Sequence, residues 1–357
     1  MRLLFTSSDP GSAQQNNSVA TWIKKENNAI IGYVSSQLAS RYYTTNFDKV
    51  LFFKSIQQIK KKVIYNFIIE FNPDFIFLGI SVDKNNIDYI VCEISQKLNI
   101  KTGSIQDYYG YFGSYNNAVK PDYFFVIDDY AKLLTDKTMI CESEKIIITG
   151  SPKHYDYYNK IDKWNKDFQN ISYRNSEIIL FLQPLEIPGI TSNLINLCSE
   201  LNEIEPGYIL NVKPHPLDED SKILKDLSTN YSFKILDFEN KPIELLLMYF
   251  SNIFNCFSTI SYDYYFLTKH ILSIRRTKLH NLLIGEDIFS SIAKLNFDIS
   301  MTPQYKIGVN IKDSQSLKEA LKSIFNFPKI NTFRMKSLNN NNYNMAVENI
   351  INIIKGV

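Results

Sequence analysis

Short apolar runs alternate with amphipathic stretches along almost the whole of this chain, and that rhythm leaves few folds open. "RLLFT", "AIIGYV", "DFIFLGIS", "KTGSIQ", "YFFVID" and "KIIITG" are short, rich in β-branched and aromatic residues, and closed by polar or glycine turns. Such runs predict buried strands. Helical patterns lie between them: in "SIQQIKKKVIYNFIIEF" the residues Ile56, Ile59, Val63, Ile64, Phe67 and Ile68 fall on one face at helical spacing. Strand and helix repeated in this order predict a parallel sheet with helices on both sides.

The polar, Asn- and Lys-rich segment "YDYYNKIDKWNKDFQNISYRNS" breaks the rhythm, and a domain boundary is expected near residues 155–175. The alternation restarts with "EIILFLQ", "YILNVK", "SFKILD", "NIFNCF" and "HILSIR". A late helix, "SLKEALKSIF", begins with the pattern of a capping box from Ser316 to Glu319, and "NMAVENIINIIKGV" reads as a closing amphipathic helix. The expectation is an α/β protein of two doubly wound, Rossmann-like domains facing across a cleft, spanning residues 1–160 and 175–357, with the last helix packing back on the first domain. A chain of 357 residues that is 45% hydrophobic has the length and the apolar content for two such cores.

Charge and cysteine usage narrow the class. A net charge of +2 argues against a nucleic-acid binder, whose affinity rests on neutralising phosphates. The four cysteines, Cys92, Cys141, Cys198 and Cys256, are far apart and each sits in or beside an apolar run, so they read as reduced, buried small hydrophobes. The first residues hold no signal-peptide pattern, and no apolar run reaches the roughly 20 residues of a spanning helix. The expected place is the cytoplasm, with at most peripheral contact at the inner face of the membrane through lysine-rich helices such as "QQIKKKV".

In open parallel sheets ligands bind beyond the carboxyl ends of the strands, so the strand exits carry the functional reading. The first exit, "SSDPGSAQQNN", offers Ser12 and Gln14 before a helix, where backbone N–H groups receive an anion or a sugar. It matches neither the dinucleotide fingerprint nor the Walker loop. "KTGSIQDYYGYFG" places Asp107 at an exit, with Tyr108 and further aromatics suited to stacking on a sugar. Asp128 and Asp129 end the next strand, where either can cap the following helix. In the second half, Gln183 follows the first strand, and Lys213, His215 and Pro216 follow the second in "NVKPHP". Glu239 follows the third, and Ser258 and Thr259 the fourth. Prolines on both sides stiffen the backbone at His215 and pre-position its side chain. "HILSIRR" brings Arg275 and Arg276, whose forked donors suit phosphate or carboxylate. Consecutive exits thus offer donors fit for an anionic leaving group such as a nucleotide phosphate. "DED" at Asp218 to Asp220 resembles a metal motif but reads as the acidic opening of a helix.

Two α/β domains with these exits resemble the GT-B glycosyltransferases. "KPHP" followed later by "ST" is similar to the HP and S-S/T motifs of bacterial sialyltransferases of that fold, in which the histidine and the hydroxyl pair hold the phosphate of CMP. The resemblance carries the HP motif onto His215 and Pro216, and the hydroxyl motif onto Ser258 and Thr259. Those enzymes take their general base from two acidic residues followed by glycine. This chain has no such tripeptide, which leaves the base among Asp107, Asp128 and Asp129. The layout is also similar to Kdo and other capsule-sugar transferases, to CDP-glycerol polymerases and, in "IIITGSPKHYD", to UDP-GlcNAc 2-epimerases.

The resemblance implies an inverting, metal-independent transfer of a CMP-activated acidic sugar to a glycan acceptor, lipid-linked or free, in surface polysaccharide synthesis, without a cofactor. Asp107 takes the acceptor proton. His215 and Lys213 stabilise the departing phosphate, with His215 as its proton donor, and Ser258 and Thr259 hold the same group. The alternatives are a UDP-sugar-dependent transferase, a UDP-GlcNAc 2-epimerase-like enzyme, and a non-catalytic polysaccharide-binding subunit.

Overall fold

The computed structural model describes residues 1–26, 29–43, 47–81, 85–107, 113–167, 177–218, 221–236, 246–247, 249–256, 258, 260–270, 278–284, 308–326 and 345–356. The chain divides into two units, Met1–Asn159 with Leu338–Val357, and Lys160–Ser337.

Unit 1 is built on β1 (Arg2–Ser7), β2 (Ile30–Ser36), β3 (Lys49–Phe53), β4 (Phe75–Leu78), β5 (Thr102–Ile105), β6 (Tyr123–Val126) and β7 (Ile146–Ile148). They form one parallel sheet in the order β3-β2-β1-β4-β5-β6-β7. The helices between them are α1 (Pro10–Glu26), α2 (Gln37–Ser40), α3 (Lys61–Phe71), α4 (Ile87–Leu98), α5 (Asp129–Asp136) and α6 (Pro152–Tyr158). Helices on both faces bury the central strands, which is why β1 and β4 read as unbroken apolar runs. Phe5 of β1 stacks on Phe77 of β4 with ring centroids 4.7 Å apart.

Two local expectations change here. Strand β3 went unmarked in the sequence, where its "KVLFF" run stands next to the helical pattern that follows. It lies at the sheet edge, with Val50 and Phe52 exposed. The helix predicted from Ser55 onward starts only at Lys61, with Ile56 left in a short 3₁₀ turn and Val63 facing outward. Its buried stripe is Ile64, Phe67, Ile68 and Phe71.

Unit 2 is built on β8 (Ile178–Phe181), β9 (Leu210–Lys213), β10 (Phe233–Ile235), β11 (Asn252–Asn255), β12 (Lys278–Leu282) and β13 (Val309–Ile311), again all parallel, in the order β10-β9-β8-β11-β12-β13. Its helices are α7 (Ile161–Asp167), α8 (Ile190–Ile204), α9 (Lys222–Asn230), α10 (Ile260–His270) and α11 (Ser314–Asn326). The strand expected at "HILSIR" falls, apart from His270, on residues that the structure does not describe. His270 closes α10, residues 271–277 lie outside the described residues, and β12 pairs through Lys278–Leu282. The cap of α11 is Asp313, not Ser316: Asp313 Oδ1 accepts the Ser316 N–H at 2.7 Å, and Ser316 Oγ reaches back to the Asp313 N–H at 3.2 Å. The reciprocal logic of a capping box holds, three residues earlier than predicted.

Helix α12 (Ala346–Lys355) belongs to unit 1, where it packs on α1 and α6. Its Val347, Ile350, Ile351 and Ile354 join the cluster formed by Phe5, Ile23, Ile31 and Phe77. In each sheet the strand order reverses once, between β1 and β4 in unit 1 and between β8 and β11 in unit 2. Those two switch points are where an open α/β sheet receives a ligand.

Candidate functional site

At the switch point of unit 1, β1 runs out through Ser7 and Ser8 to Asp9, which precedes α1. Three carboxyls gather here. Asp88, in the first turn of α4, is fully buried. Its Oδ1 accepts from Thr6 Oγ1 at 2.6 Å and from the Gly79 N–H at 3.0 Å, and its Oδ2 accepts from the Ser8 N–H at 3.0 Å. One side chain thereby ties the exits of β1 and β4 together. Ser8 Oγ returns the link by accepting the Ile87 N–H at 3.1 Å. Gly79 is required, because a Cβ there would stand 2.7 Å from Ser12 Oγ and 2.8 Å from Asp88 Oδ1.

Asp9 and Asp107 are the two partly buried carboxyls beside it. Burial pushes Asp9 up to about 6, against a hydrogen bond from Ser81 and helped by the charge of Asp88. Burial and the neighbouring charge of Asp9 push Asp107 up to about 7, with its own backbone N–H and the Lys153 cation pulling the other way. Asp88 is also raised by burial, in spite of the donors from Thr6, Ser8 and Gly79. The Asp107 carboxyl lies against the first turn of α1, close enough that a Cβ on Gly11 would collide with its Oδ2.

The other residues expected in this half are placed differently. Ser12 is buried and donates its hydroxyl to Asp9 O at 3.1 Å. Gln14 is half-buried on α1, while its neighbour Gln15 anchors α6 by accepting the Lys153 N–H at 3.0 Å. Asp128 is the cap of α5, accepting the Ala131 N–H at 2.8 Å, and Asp129 follows in the first turn. Of the three acids held open for the base, Asp107 is the one in the carboxyl cluster. Tyr108 lies outside the described residues.

Unit 2 gathers its polar groups at the exits of β8, β9 and β11. Lys213 ends β9, is 8% exposed, and donates from Nζ to Pro214 O at 2.8 Å. His215 and Pro216 lead into a 3₁₀ turn, Pro216–Asp218, in which the Asp218 N–H donates to His215 O at 2.8 Å. The Leu217 N–H donates to His215 Nδ1 at 3.3 Å, an acceptor role that leaves the ring proton on Nε2. Burial and the Lys213 cation push His215 down to about 4. At neutral pH it is an uncharged ring with one N–H to offer. Asp218 Oδ2 accepts the Leu185 N–H at 2.9 Å and so ties the exit of β9 to that of β8, beside half-buried Gln183. The cap of α9 is Ser221, so Asp218 does not open that helix.

Beyond β11, Ser258 stands before α10. Its N–H donates to Asn255 Oδ1 at 2.8 Å, and its Oγ accepts the Ile260 N–H at 3.3 Å. Glu239, Thr259 and Arg275 lie outside the described residues. Among the described residues no group of three or more His, Cys, Asp or Glu side chains is arranged to hold a metal ion, and no helix is long and apolar enough to cross a membrane. All four cysteines are free thiols, but Cys141 is only half-buried, unlike the other three.

No family model and no curated protein matches the chain. Solved structures do. The UDP-GlcNAc 2-epimerase from Neisseria meningitidis, bound to UDP-GlcNAc, matches with a TM-score of 0.70 at 15% identity, covering 100% of both chains. The fold is GT-B. The UDP-GlcNAc 2-epimerase of Methanocaldococcus jannaschii, in complex with UDP-GlcNAc and UDP, gives 0.64 at 12% identity, again over 100% of both chains. The wall teichoic acid polymerase TagF, as its H444N variant, gives 0.57 at 11% identity over 100% of this chain and 88% of the polymerase.

Asp9 and Asp88 are the residues that sequence reasoning missed. Asp9 sits inside the quoted "SSDPGS" and precedes a proline at a helix start, which disguises it as a cap. Asp88, two residues after the α4 cap Asn86, looks like an ordinary acidic residue in a first turn. Nothing local tells that its carboxyl is buried.

Proposed function

We propose that this chain is a nucleotide-sugar enzyme acting on a UDP-activated N-acetylhexosamine, with chemistry of the 2-epimerase type. The observation that carries the reading is the pair Asp9 and Asp107, lifted to about 6 and about 7 at the switch point of unit 1. Near neutral pH such a pair holds one carboxylate and one carboxylic acid, the two states needed to take a proton and to return one. Inversion at C2 of a sugar needs both. The C2–H bond is not acidic, so its electron pair needs a sink, and the bond from C1 to UDP supplies one. As the ionised member of the pair takes the proton, the C1–C2 double bond forms and UDP leaves; protonation on the other face by the protonated member and re-addition of UDP complete the inversion.

In this reading the phosphates of the leaving UDP are bound in unit 2. His215 gives its Nε2–H, Ser258 stands at the N-terminus of α10, and the Lys213 cation adds its charge near His215. Protein donors carry the charge, so the reaction needs no metal. The full-length likeness to two UDP-GlcNAc 2-epimerases weighs toward UDP and away from the CMP donor that the HP and S-T motifs suggest.

A second reading, transfer of the activated group to an acceptor with Asp107 as base, draws on the likeness to TagF. A thermal-shift panel of UDP, UDP-GlcNAc, CDP and CMP without metal is the first test, since a ligand bound to the folded state raises Tm. Selective stabilisation by UDP and UDP-GlcNAc is expected. Selectivity for CMP would overturn the donor assignment, and turnover only with an acceptor present would favour transfer.

A further inference from the structure

Three asparagines stand side by side on three neighbouring strands of unit 2. Asn255 of β11 is in register with Asn281 of β12, and Asn281 with Asn310 of β13. Asn255 Nδ2 donates to Asn281 Oδ1 at 2.9 Å, and Asn281 Nδ2 donates to Asn310 Oδ1 at 2.9 Å. Asn255 and Asn281 are fully buried. Buried parallel strands ordinarily carry aliphatic residues, and a buried amide costs free energy unless its donors and acceptors are met. A row of amides here calls for a reason other than packing.

The inner end of the row supplies it. Asn255 Oδ1 accepts the Ser258 N–H at 2.8 Å. A backbone N–H can only donate, so Asn255 must present its oxygen to Ser258 and its nitrogen to Asn281. Asn281 must then present oxygen to Asn255 and nitrogen to Asn310, so one backbone group fixes the direction of the whole row. Room is kept for it: a Cβ on Gly308 would stand 2.8 Å from Asn281 Nδ2. Ser258 passes the constraint on, accepting the Ile260 N–H at Oγ (3.3 Å) and the Ser261 hydroxyl at its carbonyl (3.0 Å).

We infer that Asn281, acting through Asn255, is a positioning residue that holds Ser258 and the first turn of α10 in the geometry that receives the nucleotide phosphate. This rests on the proposal that Ser258 binds phosphate. Asn281→Asp tests it almost without change of shape. One carboxyl oxygen still accepts from Asn255, but the other faces Asn310 Oδ1 and fits only when it carries a proton. UDP affinity, measured by calorimetry on the full chain as the ratio to wild type at the same pH, is expected to be weaker by about tenfold at pH 8, the scale of one lost hydrogen bond to a charged group. The ratio returns toward one at pH 5.5. A ratio near one at both pH values, with Tm lowered, would make the row merely structural and overturn the inference.

Amide hydrogen exchange gives a second readout that needs no ligand. At pH 8 the Ser258 amide of the Asn281→Asp protein is expected to exchange faster than in wild type, while the later turns of α10 are unchanged. Unaltered exchange at Ser258 overturns the positioning role. If the wild type binds no UDP, the parent proposal fails and exchange alone decides the row. If Asn281→Asp does not fold, Asn310→Ala, at its half-exposed outer end, is expected to weaken UDP binding and speed Ser258 exchange by smaller factors, alike at both pH values.

Discussion

The carboxyl of Asp107, at the exit of β5, lies directly against Gly11 in the first turn of α1, where a Cβ would collide with Oδ2. The contact places a titratable group at a helix N-terminus, and it sets the first prediction. Gly11→Ala displaces the end of one side chain and leaves the backbone alone, so Tm should hardly change. A displacement of about 1 Å at a reacting group costs on the order of 10²-fold in rate. Turnover of UDP-GlcNAc by Gly11→Ala is expected to fall by about that factor, and Asp107→Asn by roughly 10²–10⁴-fold. Parallel kinetics and thermal melts check both.

A second prediction follows from the raised acids. A carboxyl whose pKa is higher in the folded than in the unfolded chain binds its proton more tightly when folded. Its contribution is therefore fully present below the unfolded value near 4 and lost as pH rises through the folded value, here about 6 for Asp9 and about 7 for Asp107. Removing one charge relieves the cost. Asp9→Asn should raise Tm at pH 8 by roughly 2–4 °C, leave it unchanged below pH 4, and abolish turnover. Melting curves from pH 4 to 8 read the effect.

His215 supports a third. With its pKa pushed down to about 4 by burial and Lys213, it stays neutral through the physiological range, and its Nε2–H is a fixed donor. His215→Ala is expected to weaken UDP binding by about 10–100-fold, the range for a hydrogen bond to a charged group. His215→Gln, whose amide nitrogen reaches toward the Nε2 position, should recover part of the loss. Titration calorimetry on the three proteins decides, and equal affinity in all of them would remove His215 from the phosphate site.

The closing helix gives a fourth. Ile350 is fully buried in the cluster with Phe5, Ile23 and Ile31, so Ile350→Ala removes packing from the core of unit 1. A loss of about 2–5 kcal/mol is expected, visible as a lower urea midpoint.

Much of the fold was legible because periodicity reports burial. The cores of the runs "RLLFT" and "DFIFLGIS" are apolar because β1 and β4 are covered on both faces, and the same holds for β8. Legibility failed where burial is partial or polar. Edge strand β3 leaves Val50 and Phe52 exposed, and β12 carries His280 and Asn281 where a core strand ordinarily carries aliphatics. In the site, "KPHP" announced itself because two prolines confine a histidine. Asp88 did not, because its importance lies in donors from Thr6, Ser8 and Gly79, which are distant in sequence and meet only at the switch point. The asparagine row was hidden for the same reason: register across β11, β12 and β13 is a property of the sheet, not of any one segment.

Exchange of the C2 proton tests the central claim most directly. The protein is incubated with UDP-GlcNAc in deuterated buffer, with no acceptor, and C2 is followed by NMR. Deuterium is predicted to enter C2 with the wild type and not with Asp107→Asn. A wild type that binds UDP-GlcNAc yet leaves the C2 proton untouched would contradict acid–base chemistry by Asp9 and Asp107 at that carbon.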